Sequence, residues 1–185
     1  MDFSENDLYK TIDFPSEEVL LKEKNSKFFG YAIPVTSEED VKENLERLRK
    51  EHFSARHWCY AYQIGTEKIQ YRANDDGEPN NSAGMPIYGQ IQSFEVTNIL
   101  VVVVRYFGGV KLGVGGLISA YKTAAQMALE NATIIEKTID KHFIISFGYA
   151  HMNKVMRIIK EKNLQIVSQK MEMDCEIEIS IRKKS

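Results

Sequence analysis

The sequence predicts an α+β protein of two domains, residues 1–136 and 137–185. Residues 99–104 form a continuous run of isoleucine, leucine and valine, which is typical of a strand buried on both faces. A glycine-rich loop and a long amphipathic helix follow this strand. From residue 142 the pattern restarts as strand, helix, strand and strand, and this restart sets the predicted domain boundary.

The first domain opens with an acidic leader, two strands and a helix. Residues 19–24 and 27–35 are predicted as strands joined by a turn at residues 25–26. Ser37 precedes three acidic residues, which is the pattern of a capped helix with acidic side chains in its positive first turn. The apolar residues at helical spacing stop near residue 52, which predicts the end of this helix.

Large and small side chains alternate in the next predicted strand, which lies within the stretch SARHWCYAYQIG and directly follows Arg56 and His57. One face carries the rings of Trp58, Tyr60 and Tyr62, and the other face carries Cys59 and Ala61. Residues 68–73 are predicted to complete a hairpin across residues 65–66. Residues 74–93 contain Asp-Gly and two prolines, which predicts a long ordered loop.

The helix after the glycine-rich loop is predicted to end at Asn131. Its apolar side at helical spacing consists of Leu117, Tyr121, Ala124 and Ala128. Residues 133–141 are predicted as a closing strand before the second domain.

The second domain is predicted to contain strands at residues 142–150, 165–173 and 175–181 and a helix at residues 151–162. The apolar side chains of this helix that should face inward are Val155, Ile158 and Ile159. The cations that should face outward are Lys154, Arg157, Lys160 and Lys162. A β-α-β-β order is the first two thirds of a ferredoxin-like unit, so we expect a domain that lacks its second helix and last strand.

Composition and charge favour an ordinary globular protein of the cytoplasm. The chain is 43% hydrophobic and 27% charged, and no apolar stretch is long enough to span a bilayer. The N-terminal residues lack a signal-peptide core, and the two cysteines are far apart, as expected for reduced thiols.

The charge differs between the two predicted domains. Residues 1–136 carry 14 basic and 20 acidic residues, net −6, whereas residues 137–185 carry 10 and 6, net +4. The second domain therefore has the charge to contact RNA or an acidic partner, although the whole chain lacks the basicity of a dedicated nucleic-acid binder.

The glycine-rich loop is the strongest candidate site. Its glycines are Gly108, Gly109, Gly113, Gly115 and Gly116, and they flank one cation, Lys111. A loop of this kind between a strand and a helix N-terminus can direct backbone N–H groups at an anion. It matches neither the dinucleotide fingerprint nor the P-loop, and glycines here also permit close packing. Both interpretations stay open from the spacing alone.

Three carboxylates, those of Asp75, Asp76 and Glu78, follow the aromatic hairpin. Their spacing is not that of an EF-hand, and acidic residues are common in turns. The sequence therefore assigns neither a metal nor a cofactor. A serine or cysteine nucleophile is also unsupported, because no nucleophile-elbow motif is present and Cys59 is predicted to pack inside a strand.

Together these motifs resemble the IMPACT/YigZ-type family. The stretch from Arg105 to Tyr121 reads RYFGGVKLGVGGLISAY, which matches the family pattern RYFGGxKLGxGGLxxAY. The other matching motifs are Ala55-Arg56-His57, Asp76-Gly77-Glu78-Pro79, Ala83-Gly84 and Pro86. Because the sequence shows no eukaryotic-type N-terminal partner-binding module, it is identified as a member of the bacterial type.

The resemblance implies both a fold and a role. The first domain is expected to have the βαβ fold shared by RNase PH-type enzymes, certain ribosomal proteins and domain IV of elongation factor G. The second is expected to resemble the ferredoxin-like end of that factor. The implied partners are RNA or the ribosome. Two arginines common in the family are replaced by Met85 and Ser119 here, which removes two cations that would contact phosphate.

Three functional hypotheses follow. The first is a translation-associated regulatory factor that contacts RNA or the ribosome, with candidate ligand-binding residues Arg56, Arg105, Tyr106, Gly108, Gly109, Lys111, Gly115 and Gly116. The second is an enzyme acting on a phosphorylated small molecule or an RNA end, with His57 as general acid or base and Asp76 or Glu78 orienting it. The third is a protein-interaction module anchored by Tyr60, Tyr62 and Tyr106.

Two of the candidate cations also have structural interpretations. Arg105 is equally expected to form an ion pair with Asp76 or Glu78. Arg56, at the start of the aromatic strand, is equally suited to stack on a ring within the fold.

Overall fold

The computed structural model describes residues 7–183, which divide into two compact units. The first unit comprises residues 9–137, and the second comprises residues 138–183 with residues 7 and 8. A mixed α and β fold of two units is thereby confirmed. The first six residues of the predicted acidic leader and the last two residues of the chain lie outside the described residues.

The first unit is built on a five-stranded antiparallel sheet with the order β2-β3-β6-β4-β5 and a two-stranded sheet of β1 and β7. Its strands are β1 (Leu8–Ile12), β2 (Val19–Glu23), β3 (Ser26–Pro34), β4 (His57–Ile64), β5 (Gln70–Asn74), β6 (Ile99–Tyr106) and β7 (Ile134–Thr138). Its helices are α1 (Glu38–Glu51), α2 (Gly84–Ser93) and α3 (Gly113–Asn131).

Strand β6 lies at the centre of the sheet and is covered on both faces, as predicted. Residues 99–104 have no exposed surface. Helices α2 and α3 pack on one face of the sheet, and α1 packs on the other. Burying each of these side chains contributes about 1.5–3 kcal/mol relative to leaving it in water. The strand is therefore a rigid base for the residues at its end.

Alternation along β4 assigns its side chains to the two faces, as predicted. Cys59 and Ala61 pack with α2 and α3, whereas Tyr60 and Tyr62 pack with α1. The tyrosines are only 7% and 6% exposed, and the Tyr62 hydroxyl donates to Glu38. The hypothesis that these two rings anchor a protein partner is therefore wrong, because the sheet and α1 already cover them.

Helix α1 begins and ends as predicted. The Ser37 hydroxyl accepts the backbone N–H of Asp40 at 3.1 Å, and the last helical residue is Glu51. The turn between β2 and β3, however, consists of Lys24 and Asn25 rather than residues 25–26. Both residues have positive φ, the geometry that matches the twist of a tight hairpin.

The hairpin of β4 and β5 also differs from its prediction. Ile64 pairs with Gln70, so residues 65–69 form a five-residue loop instead of a two-residue turn. Gly65 has positive φ, and its N–H donates to the Asn98 side chain. This contact between distant segments of the chain fixes the longer loop.

Residues 74–93 are only partly a loop, because α2 occupies their second half. The Asp75 carboxylate accepts the backbone N–H groups of Ala83 and Gly84 at 3.1 and 2.8 Å, which satisfies the start of the helix. Pro86 lies in the first turn, where a missing N–H costs nothing. The prolines and glycines that predicted a loop are thus compatible with a short buried helix.

The second unit contains β8 (Asp140–Gly148), α4 (Met152–Glu161), β9 (Gln165–Met171) and β10 (Asp174–Arg182). Its antiparallel sheet has the order β8-β10-β9. Ile159 of α4 is buried against Ile177 and Ile179 of the sheet. Ile158, which was predicted to face inward, is 42% exposed, because its position on α4 falls beside the buried stripe. Across residues 7–183, no helix is long and apolar enough to cross a membrane.

Candidate functional site

The site is organised by Arg105 near the end of β6. Alternation along β6 places Arg105 on the face of the sheet that packs against α3, and its side chain is only 6% exposed. The guanidinium group donates through Nη1 to both oxygens of Glu78, at 2.9 and 2.7 Å. Of the two acids considered as its partner, the structure thus selects Glu78. The Nε–H group of Arg105 is buried and has no acceptor among residues 7–183.

The Glu78 carboxylate connects three elements of the first unit, β4, β6 and α3. Besides Arg105, it accepts the hydroxyl of Tyr121 at 2.7 Å and lies 3.1 Å from Nε2 of His57. The side chain of Glu78 is only 4% exposed, so these donors replace water around its charge. Glu78 is therefore the structural centre of the site.

The imidazole of His57 is oriented from both sides. Nδ1 donates to the carbonyl oxygen of Asp76 at 2.8 Å, since a carbonyl oxygen only accepts. On the other side of the ring, Nε2 lies 3.1 Å from the Glu78 carboxylate. These two contacts fix the plane of the imidazole beside Glu78.

Asp75 and Asp76 have positioning contacts of their own. The Asp76 carboxylate accepts the backbone N–H of Trp58 at 2.8 Å, and the Asp75 carboxylate caps α2. Asp76 therefore acts on His57 through its backbone carbonyl and not through its acid group. Within residues 7–183, no group of three histidine, cysteine or acidic side chains is arranged to hold a metal ion.

Two further ionisable groups behind the site are held neutral. Burial, with the neighbouring Cys59 and Glu78, raises the pKa of Tyr121 far above its ordinary value. Burial likewise raises the pKa of the Cys59 thiol. Cys59 is accordingly unsuited to act as a nucleophile.

A cavity of about 400 Å³ opens beside this network, and we call it the glycine-loop cavity. Its lining residues are Arg56, His57, Glu78, Pro79, Arg105, Phe107, Lys111, Leu112, Gly113, Val114 and Leu117. The volume lies within the range of small-molecule sites. The cavity thus brings together the predicted cations, the predicted histidine and one predicted carboxylate.

Arg56 and Lys111 are the exposed cations of the glycine-loop cavity. The Arg56 guanidinium lies 4.8 Å from the centre of the Phe107 ring, which is the stacking considered for it above. Neither cation forms an ion pair with a carboxylate in the described part of the chain. Both charges are therefore available to an anion from solution.

The glycines of the loop lie in two kinds of surroundings, against the backbone of another segment or beside open space. A side chain at Gly108 would lie 2.1 Å from the backbone carbonyl of Asn25, so this glycine permits close packing of the loop on the β2–β3 turn. Gly113 has φ +76°, begins α3 and lines the cavity. Leu112 gives α3 no side-chain cap, and the first turn holds no acidic residue. Close packing thus explains Gly108, whereas anion binding by the loop stays a prediction.

The remaining predicted ligand-binding residues lie off the cavity wall. Tyr106 packs toward α1, on the opposite face of the sheet, and its hydroxyl contacts Nδ1 of His52 at 2.7 Å. The glycines that do not line the cavity are Gly108, Gly109, Gly115 and Gly116. Phe107 also lines the glycine-loop cavity, although it is not among the candidate residues of the sequence analysis. Its position between Arg105 and Gly108 could have indicated it.

Comparison with known proteins gives a consistent family. Residues 24–129 match the family described as the Impact N-terminal domain. The IMPACT family member YvyE of Bacillus subtilis is 33% identical over 153 residues, covering 83% of this chain and 70% of that protein. An IMPACT family member of Haemophilus influenzae is 32% identical over 178 residues, covering 92% and 85%. The crystal structure of a hypothetical protein, 27% identical, superposes with a TM-score of 0.78 over 96% of this chain and 87% of that one. The chain therefore belongs to the IMPACT family.

Proposed function

We propose that the protein is a translation-associated regulatory factor that contacts RNA or the ribosome through the glycine-loop cavity. The observation that carries this proposal is the pair of exposed cations, Arg56 and Lys111, that have no carboxylate partner in the described chain. Contacts between cations and phosphates supply most of the affinity for nucleic acid. The link to translation comes from the resemblance of the sequence to the IMPACT/YigZ-type family.

The second unit supports the same proposal. Lys154, Arg157, Lys160 and Lys162 are all exposed on or just after α4. The sheet order β8-β10-β9 fits the ferredoxin-like arrangement implied by the resemblance to elongation factor G. We propose that this basic surface gives a second contact to RNA or ribosome, with a protein partner as the alternative.

Binding of the purified chain to RNA and to ribosomes, measured at several salt concentrations, tests this function. Lys111→Ala should lower affinity and reduce the slope of log K against log salt concentration by about one. Lys122→Ala is the matched control, because Lys122 is an exposed lysine on α3 that does not line the cavity. Absence of binding at low salt, or equal effects of the two substitutions, would contradict the proposal.

A second candidate function is an enzyme acting on a phosphorylated small molecule or an RNA end. The observation in its favour is that His57 and Glu78 line the same cavity as Lys111, with Nε2 of His57 3.1 Å from the Glu78 carboxylate. In this hypothesis Lys111 holds phosphate while His57 transfers a proton. Turnover that disappears in His57→Gln, while ligand binding persists, is the expected result. Retention of full turnover in that variant would eliminate His57 as the acid or base.

A further inference from the structure

We infer that the glycine-loop cavity selects a doubly charged phosphate monoester, such as the terminal phosphate of an RNA, over the singly charged phosphodiester of a chain interior. This inference rests on the proposed function and specifies the chemical group that the site recognises. It follows from the charge of the wall, the shape of the cavity and the backbone at the start of α3.

The charge of the wall is the first observation. Arg56, Arg105 and Lys111 bring three positive charges and Glu78 brings one negative charge, which leaves a charge of +2 with His57 counted as neutral. Arg105 and Glu78 neutralise each other through their two short hydrogen bonds. The remaining charges are those of Arg56 and Lys111. A phosphate monoester carries about −1.5 to −2 at pH 7, whereas a diester carries a single charge, so the monoester matches this site.

The shape of the cavity is the second observation. Its inner wall contains Glu78 and Arg105, whose side chains are only 4% and 6% exposed and are held by each other. A phosphate within a polynucleotide needs an open groove for the chain on both of its sides. A cavity of about 400 Å³ with these two fixed side chains in its wall suits a chain end or a small molecule.

The backbone at the mouth is the third observation. The first N–H groups of α3 begin at Gly113, and no side chain of Leu112 or of the first turn occupies them. A side chain built at Gly113 or Gly115 would meet no atom within 4 Å, so an anion has room to approach. Phosphate oxygens accept such N–H groups favourably at a helix N-terminus. Lys111 precedes this turn by two residues and supplies a full charge beside it.

The apolar residues around these groups strengthen the preference. Phe107, Leu117 and Val114 contribute apolar surface to the wall, and Arg56 is held against the Phe107 ring. Partial exclusion of water increases the attraction between a charged ligand and the cations. A second ligand charge therefore has more effect here than on an open basic surface.

Two sets of ligands that differ in the charge of their phosphate group test the inference. One RNA decamer is compared with phosphate at the 5′ end, phosphate at the 3′ end, or hydroxyl groups at both ends. A nucleoside 5′-monophosphate is compared with its methyl ester, which keeps the base and sugar but loses one charge. We expect the ligands with a phosphate monoester to bind about tenfold more tightly than the corresponding ligands without one, the effect of one additional charge-assisted contact. Lys111→Ala and Arg56→Ala should abolish that difference, and Lys122→Ala should retain it.

The outcomes separate the inference from the function on which it rests. Equal binding of phosphorylated and hydroxyl-ended RNA, each weakened by Lys111→Ala, would overturn the inference and leave the RNA-binding function intact. Failure of every RNA to bind would overturn the proposed function instead. In that case, selective binding of the nucleoside monophosphate would support the monoester site for a small molecule. Its absence would overturn the inference as well.

Discussion

Replacing Glu78 by alanine should destabilise the first unit strongly, because it leaves a buried cation without its partner. The side chains of Arg105 and Glu78 are 6% and 4% exposed, so water cannot easily replace the lost carboxylate. Breaking one member of a buried ion pair typically costs about 3–5 kcal/mol. The hydroxyl of Tyr121 also loses its acceptor in this variant.

Urea denaturation followed by tryptophan fluorescence measures this loss. Trp58 is the single tryptophan of the chain and lies in β4, so its emission reports on the first unit. With a slope of about 2 kcal/mol per molar urea, the midpoint should fall by about 1.5–2.5 M. Glu43→Ala, at an exposed position of α1, is the control and should change stability by at most about 0.5 kcal/mol.

A midpoint shift below about 0.5 M in Glu78→Ala would refute this reasoning, since it would mean that solvent compensates the charge of Arg105. A double variant adds a second check. Arg105→Ala combined with Glu78→Ala should destabilise less than the two single effects added together, with a coupling free energy of about 0.5–3 kcal/mol. Additive effects would show that the two side chains do not stabilise each other.

The remaining predictions concern packing, capping and pH. Gly108→Ala should lower the unfolding free energy by about 1–3 kcal/mol, because its methyl group would overlap the carbonyl of Asn25; an unchanged urea midpoint would contradict this packing. Ser37→Ala should cost about 1 kcal/mol through loss of the α1 cap, whereas a cost below about 0.3 kcal/mol would mean that the hydrogen bond is dispensable. Burial raises the pKa of Tyr31 and Tyr121 in the folded chain, so the unfolded chain loses these protons first, and the unfolding free energy should fall progressively as the pH rises above about 10. Midpoints measured across that range should fall less steeply for Tyr121→Phe, and an identical fall would exclude a contribution from Tyr121.

Local chemistry determines the parts of the fold that the sequence predicts well. The six apolar residues 99–104 predict a buried strand because a short continuous run of isoleucine, leucine and valine is typical of a strand covered on both faces. Ser37 predicts the start of α1 because its hydroxyl bonds only three residues ahead. The start of α2, by contrast, depends on Asp75, whose carboxylate bonds to N–H groups eight and nine residues away. A local pattern does not contain that information.

The site divides in the same way. The residue types of Arg56, His57 and Lys111 indicated their chemistry, and the structure brings all three to one cavity. The sequence left the partner of Arg105 open between two acids, because the choice depends on how a loop 27 residues away folds back. The face of Tyr106 follows from alternation next to Arg105, so its exclusion from the cavity was predictable in principle.

The burial of β6 has a consequence for how binding would appear in hydrogen exchange. Its backbone amides are bonded to β3 and β4 and covered on both faces, so they exchange only when the first unit unfolds globally. Lys111 lies on an exposed loop only six residues after Arg105. A ligand in the cavity would therefore slow exchange at residues 107–115 through local protection. Any slowing at residues 99–105 would instead measure the gain in global stability, so one experiment would yield both the location and the strength of binding.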